Sequence, residues 1–236
     1  MSVYKEALNF YIENSTLNER ATSDRINQLT ELTELLEEHF EFENVISIET
    51  GTSYYWWDGM VGAYFAYLAA KTNGSFTSVD IDHSLNEKAI DTYRNLTTPL
   101  SPKFITQDSV RFLKETDIVP NLVHLDSWDL NLKDPFPSAL HGWREFEAIE
   151  DKMPLGSILV IDDNYYGGTW VSYDFYEDND PRKVARSEII DIKYPIIGKG
   201  AHIYQETSAG RTNWEIIGKK WQIGNSKIIL KKINEN

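Results

Sequence analysis

The chain has 236 residues, of which 41% are hydrophobic and 25% charged. At about 150 residues per domain this allows one or two domains, and the composition is too apolar for a disordered chain and ample for a large core. Lys and Arg total 23 against 37 Asp and Glu, a formal net charge of -14, which repels phosphate backbones and anionic lipid and argues against nucleic-acid and membrane partners.

The absence of cysteine excludes a disulfide framework, a thiolate zinc site and a thiol nucleophile. The opening MSVYKEALNFYIEN has no basic region ahead of an apolar run, so no signal peptide is expected. No stretch approaches the roughly 18 apolar residues of a membrane span. The expectation is an acidic, cytoplasmic protein of one domain, 1–236, made of an N-terminal helical segment (1–43), a core (44–164) and a C-terminal part (165–236).

In chain order, Ser2 to Asn14 reads as a short helix. Thr22 or Ser23 can cap a second, with Ile26, Leu29, Leu32, Leu35, Leu36 and Phe40 at helical spacing and Glu31, Glu34, Glu37 and Glu38 mostly on its other face. NVISIE (Asn44 to Glu49) is short and β-branched and reads as the first strand. An apolar helix follows over Gly59 to Lys71, stopped at Asn73-Gly74. Ser75 to Asp82 is a second strand and Leu85 to Leu96 a helix, ended by Pro99 and Pro102. Lys103 to Thr106, Asn121 to Asp126 and Ser157 to Asp163 complete five strands. Helices at Ser109 to Lys114 and Ala139 to Lys152 lie between them. Asp180 to Ile190 reads as a helix after Pro181. Trp214 to Gln222 and Lys227 to Ile233 read as an antiparallel pair joined through Ile223 to Ser226.

Five strand–helix alternations predict a doubly wound, Rossmann-like α/β fold. It has a mostly parallel seven-stranded sheet, helices on both faces and an antiparallel C-terminal pair. The strands end in, or run just into, Glu49, Asp80, Asp108, Asp126 and Asp162. In open α/β sheets the ligand sits outside the carboxyl ends of the strands, so these carboxylates are expected on one rim. Ordinary helix capping is the simpler alternative for any one of them.

Four patterns on that rim carry chemistry. Glu49-Thr50-Gly51-Thr52-Ser53 is a turn in which glycine permits a tight bend or close ligand approach. It is neither G-x-G-x-x-G nor a phosphate loop, and a nearby Glu suits a cationic, hydroxylated ligand. Asp80 can accept hydrogen bonds from a ribose diol, while Asp80-x-Asp82 can also be read as the metal pair of a nucleotide-sugar glycosyltransferase. Asp108-Ser109 opens a helix and can receive an adenine amino group or simply cap. Asp126 and Asp162-Asp163-Asn164 end adjacent strands and form a hard-oxygen set suited to Mg²⁺ or Ca²⁺.

His141 could add a base or ligand, with Asp129 and Lys133 as further candidates. Two aromatic runs could wall an acceptor pocket: Tyr54, Tyr55, Trp56 and Trp57, and then Tyr165, Tyr166, Trp170, Tyr173, Phe175 and Tyr176.

Over Asn44 to Asn164 the chain resembles the class I S-adenosylmethionine-dependent methyltransferases. ETGTS resembles their glycine-rich first motif, SVDID the acidic second-strand motif and ITQDSVRFL the third-strand segment. HLDSW and ILVIDDN resemble the fourth- and fifth-strand motifs of the catechol and macrocin O-methyltransferase-like branches. The resemblance implies that Glu49, Gly51, Thr52 and Ser53 contact the methionine part of S-adenosylmethionine, that Asp80 holds the ribose, and that Asp108 and Ser109 hold the adenine. It implies a divalent ion, Mg²⁺, on Asp126, Asp162 and Asp163 (or Asn164). Asp126 and His141 are the catalytic residues expected, with His141 or Lys133 taking the proton if no metal binds.

The sequence departs from those branches twice. The second glycine of the first motif is absent from ETGTS, and Asp-Ser-Trp-Asp replaces Asp-His-x-x-Lys, so the branch's catalytic Lys has no matched position. The reaction implied is transfer of a methyl group to a small-molecule or sugar hydroxyl. The partners expected are that acceptor and, as an option, a second copy in a homodimer, with no nucleic acid and no membrane. A glycosyltransferase using Asp80 and Asp82, or a non-catalytic cofactor-binding protein on the same scaffold, are the alternatives.

Overall fold

The computed structural model describes residues 1–17, 23–54, 60–98, 100–131, 134–166, 196–218 and 226–235. The expected helix over Asp180 to Ile190 lies outside them. So do Thr22, Tyr55, Trp56, Trp57, Asp58, Gly59, Pro99, Lys133, Trp170, Tyr173, Phe175, Tyr176, the end of the expected strand from Lys219 to Gln222, and Ile223 to Asn225 of the link that follows it.

Two helices, α1 (Val3–Leu17) and α2 (Ser23–His39), precede β1 (Ile46–Thr50) and α3 (Val61–Lys71). Then come β2 (Ser75–Asp80), α4 (His83–Arg94), β3 (Lys103–Thr106), α5 (Ser109–Glu115) and β4 (Leu122–Leu125). They are followed by α6 (Phe136–Ile149), running into a short 3-10 turn, and β5 (Ile158–Tyr166). The chain ends with β6 (Ile196–Gly198), α7 (Ala201–Ser208), β7 (Trp214–Gly218) and β8 (Ser226–Lys232). The strands form one sheet in the order β3-β2-β1-β4-β5-β8-β7, with β6 paired to β5 beside that path. The first five strands are parallel; β6, β7 and β8 pair antiparallel to their neighbours.

The sheet therefore has eight strands rather than seven, because β6 was not anticipated; nor was α7. Three residues of strand carry no period that can be counted. In α7 the buried residues are Ile203 and Thr207, too few for an apolar stripe. The third strand is correct to the residue and the others shift at their ends by a few residues, the usual uncertainty at such boundaries.

Alternation of side chains divides the core in two. Ile158 and Val160 face a cluster built with α1, α2, α3 and α4, whereas Leu159 and Ile161 face one built with α5, α6 and α7. α3 is buried from Val61 to Ala69, which explains its lack of a polar face: it lies between the sheet and α1. Tyr64 on α3 and Thr33 on α2 pair their hydroxyls at 3.0 Å in this apolar layer.

Strand order reverses at β1, which has β2 on one side and β4 on the other, with Thr50 level with Val79 and Leu125. That reversal opens a crevice beyond the carboxyl ends of β1 and β4, the expected ligand position in this architecture. No helix among the described residues is long and apolar enough to cross a membrane.

Leu68 on α3 is fully buried. Its replacement by alanine is expected to lower the unfolding free energy by about 2–5 kcal/mol, read as a lower urea midpoint at unchanged m value.

Candidate functional site

A cavity of about 450 Å³ occupies the crevice, within the ~300–1,000 Å³ range of small-molecule sites. Its walls include Gly51, Thr52 and Ser53 from the turn after β1, Asp80 at the end of β2, and Asp108 and Ser109 at the start of α5. Asp126, Asp162, Asp163 and His141 line it too, together with Arg25, Ser127, Trp128 and Asp129. The topology thus brings together Gly51, Thr52, Ser53, Asp80, Asp108, Ser109, Asp126, Asp129, His141, Asp162 and Asp163, whereas Glu49 lies beneath and Asp82 and Asn164 stand off the wall.

The turn after β1 is held by the strands on either side. Gly51 has φ +79°, and a Cβ there would lie 2.5 Å from the Asp126 carbonyl oxygen, so only glycine fits where the β1 and β4 ends meet. The Thr52 amide donates to Asp80 Oδ2 and the Asp82 amide to Asp80 Oδ1, both at 2.8 Å. Each carboxylate oxygen retains a second lone pair, so Asp80 can still receive hydroxyls from the cavity.

Asp82 takes a different role from the one the Asp-x-Asp reading gives it. It caps α4 by accepting from the Ser84 amide at 2.8 Å, and that hydrogen bonding holds its carboxyl below the usual range. Asp82 does not line the cavity. Asp108 likewise caps α5, accepting from the Arg111 amide at 2.8 Å, while lining the cavity. The capping and ligand readings of Asp108 are therefore compatible.

Glu49 is fully buried. It accepts from Ser78 Oγ at 2.9 Å and stands 3.3 Å from His124 Nδ1. Burial raises its carboxyl above the ordinary glutamate value, against the opposing pull of His124. Gly62 in the first turn of α3 makes room for it: a Cβ there would fall 2.6 Å from one carboxylate oxygen and 2.7 Å from the other.

Beyond His124 the buried polar groups continue. Lys227 Nζ lies 3.4 Å from His124 Nε2 and 2.5 Å from Asp162 Oδ2. Burial lowers the Lys227 pKa, against the opposing pull of Asp162; in its ammonium form Lys227 can only donate, which assigns the imidazole proton to Nδ1, facing Glu49. Burial lowers the His124 pKa and the Lys227 charge adds to this. Arg25 on α2 reaches Asp162 Oδ2 at 3.1 Å. Burial alone would raise the Asp162 carboxyl, but Lys227 and Arg25 hold it well below the carboxylate range.

The expected metal ligands meet a lysine. Lys199, buried between β6 and α7, places Nζ 2.7 Å from Asp126 Oδ1, 2.8 Å from the Asp126 carbonyl oxygen and 2.9 Å from Asp163 Oδ2. Burial opposes its charge, but Asp126, Asp163 and Asp162 more than offset that and raise its pKa. Burial lifts Asp126 to about 7 while Lys199 pulls it down. His124, Asp126 and Asp162 do bring one potential ligand atom each within 4.8 Å of one another. Lys227 and Lys199 already engage those same oxygens and the ring nitrogen. The residues as arranged do not fit the Mg²⁺ implied by the sequence resemblance, because the oxygen set is neither open nor uncompensated.

On the far wall, His141 Nε2 lies 3.1 Å from Ser109 Oγ and 3.5 Å from Glu145 Oε1. Ser127 Oγ donates to the same Glu145 oxygen at 2.6 Å. Trp128 stacks on the His141 ring with centroids 5.2 Å apart, with its backbone at φ +63°. Glu145 is the carboxylate behind His141, one helical turn along α6.

The sequence reading did not single out Arg25, His124, Glu145, Lys199 or Lys227. His124 was recoverable, since residues 124 and 126 share a strand face. A lysine opening an apolar strand at 227 and the Gly-Lys-Gly around Lys199 were weaker signals.

The cavity also fits the cofactor that the resemblance implies. Ser53 Oγ is buried at its wall and has no hydrogen-bond partner among the described residues, a hydroxyl that a bound polar group would satisfy. Asp80 has lone pairs to spare.

No family model matches the chain, and no curated protein matches it by sequence. Solved structures do match. A protein of Corynebacterium glutamicum shares 15% identity over 98% of this chain and 91% of its own, with a TM-score of 0.55. An rRNA-methylase candidate from Clostridium thermocellum shares 14% over 89% and 97%, with a TM-score of 0.53. A methyltransferase candidate from Streptococcus mutans, solved in complex with SAH, shares 12% over 87% and 96%, with a TM-score of 0.52. The chain has the Rossmann-like methyltransferase fold. At these identities the likeness establishes architecture, and chemistry has to come from the site.

Asp162→Asn removes the carboxylate that faces the buried Lys227 and the partly buried Arg25 and is expected to cost about 3–5 kcal/mol of stability. Asp129→Asn, in the loop after β4, is expected to change it by no more than about 0.5 kcal/mol. Thermal or urea unfolding of the two variants checks both values.

Proposed function

We propose that the chain is an S-adenosylmethionine-dependent methyltransferase acting on a hydroxyl of a small molecule or sugar. The observation that carries this reading is one cavity at the strand-order reversal that gathers the Gly51 turn, Asp80 and Asp108. When bound, the cofactor supplies an electrophilic methyl group on a sulfonium cation.

The roles of the residues follow from their positions. Asp80 accepts from the two ribose hydroxyls through the lone pairs left free by the Thr52 and Asp82 amides. Ser53 Oγ supplies a hydrogen bond to the methionine end. Asp108 and Ser109 lie where β3 hands over to α5 and take the adenine side. The acidic wall favours the cationic ligand over its neutral product. Methyl transfer is an in-line displacement, so the main contribution of the protein is alignment of donor and acceptor. His141, backed by Glu145, takes the proton of the acceptor hydroxyl as general base.

One of the similar structures is described as an rRNA-methylase candidate. For this chain the formal net charge of -14 supports a small acceptor instead, since RNA binding draws on Lys and Arg neutralising phosphates.

Isothermal titration with S-adenosylhomocysteine tests the cofactor assignment. The wild type is expected to bind it saturably, and Asp80→Asn to bind at least about tenfold more weakly, as loss of a charged hydrogen-bonding partner implies. Absence of binding by the wild type would sink the proposal. Single-turnover methyl transfer to a hydroxyl panel is expected to slow by about 10²–10⁴-fold in His141→Ala.

A further inference from the structure

We propose that Lys199 is a built-in replacement for a divalent metal: its ammonium occupies the cation position among the strand-end carboxylates, and the site works without a metal ion. The charge balance stands on geometry alone. Its consequence for catalysis rests on the methyl-transfer reading.

Three observations carry the proposal. An ammonium has three donors, and Lys199 directs them at three oxygens, Asp126 Oδ1, the Asp126 carbonyl and Asp163 Oδ2, at 2.7, 2.8 and 2.9 Å. No donor is left over, so the lysine is coordinated much as a small cation would be.

Each carboxylate of the cluster also meets a basic side chain: Asp126 and Asp163 meet Lys199, and Asp162 meets Lys227 and Arg25. Clustered carboxylates call for a metal when nothing else compensates them. Here a divalent ion would instead meet buried cations, and at such distances in a poorly solvated site that repulsion is large.

The backbone, finally, is shaped to deliver this side chain. Lys199 stands between Gly198 and Gly200. Gly198 has φ +120°, and a Cβ on it would lie 2.0 Å from the Asp163 carbonyl oxygen. The Gly200 amide donates to Asn164 Oδ1 at 2.7 Å. On α6, a Cβ at Gly142 would come within 2.3 Å of the Lys199 carbonyl oxygen. Glycines on both elements let the segment close onto the end of β5 and carry the lysine into the cluster. Asn164, a candidate metal ligand by sequence, spends its side-chain oxygen on anchoring that segment.

Lys199 does not line the cavity, so it is a positioning residue. It fixes Asp126 and Asp163, which do line it, and sets the charge that they present to an acceptor.

The test is a Mn²⁺ titration of the full chain, without cofactor, followed by electron paramagnetic resonance. The wild type is expected to show no saturable site, and its melting temperature to be unchanged by EDTA. Lys199→Ala uncovers the oxygens and is expected to gain one saturable Mn²⁺ site, abolished by adding Asp163→Asn.

A stoichiometric wild-type Mn²⁺ site lost in Asp163→Asn would overturn the proposal, as would a folded Lys199→Ala with no gain. Should Lys199→Ala fail to fold, the wild-type titration decides alone. S-adenosylhomocysteine affinity measured on the same samples separates the two questions, because its absence would defeat the methyltransferase reading and leave the metal result standing.

Discussion

Buried charge at the carboxyl ends of the central strands is the constraint around which this molecule is organised. Asp162 of β5, Lys227 of β8, His124 of β4, Glu49 of β1 and Ser78 of β2 form one polar line across the sheet. The Ser78 hydroxyl lies 2.8 Å from that of Thr52, which donates to Asn86 on α4, and Asn86 in turn reaches Thr106 of β3. Such a line is tolerable only if each member is satisfied, because an unpaired polar group in a low-dielectric interior is costly. It therefore fixes the register of neighbouring strands more tightly than apolar packing can, and it ends on the turn that shapes the cavity.

Close approach is the second theme. The polar line needs space that a Cβ would fill, and glycines provide it. Gly62 lets α3 sit on the Glu49 carboxylate, Gly51 lets the first turn pass under the end of β4, and Gly142 with Gly198 lets the β6–α7 junction reach β5. These positions lie at the same end of the sheet. The functional reading thus draws on the backbone as much as on side chains: the cavity is where helices and turns are permitted to approach the strand ends.

Legibility from the sequence varied with the type of signal. The first five strands and their helices were readable because buried parallel strands are short apolar runs between breakers. The rim was readable because strand ends carry Asp and Glu, and Asp80, Asp108, Asp126, Asp162 and Asp163 all reach the cavity wall. The cations among them were not. Arg25 comes from a helix whose pattern suggested only an amphipathic surface, Lys199 follows a three-residue strand, and Lys227 opens a C-terminal strand. None has a local pattern that points to a carboxylate 137, 73 or 65 positions away.

The sequence by itself determined the alternation of strands and helices, the two-faced sheet and the row of acids at its carboxyl edge. Each of these rests on local period and residue type. Tertiary structure decided what the acids do. It made Asp82 a helix cap, buried Glu49 against His124 and brought Lys199, Lys227 and Arg25 onto Asp126, Asp162 and Asp163. The physical reason is that a carboxylate's role depends on which charges lie within a few ångströms. That is set by strand order and close packing between segments far apart in the chain, and no local window of sequence contains it.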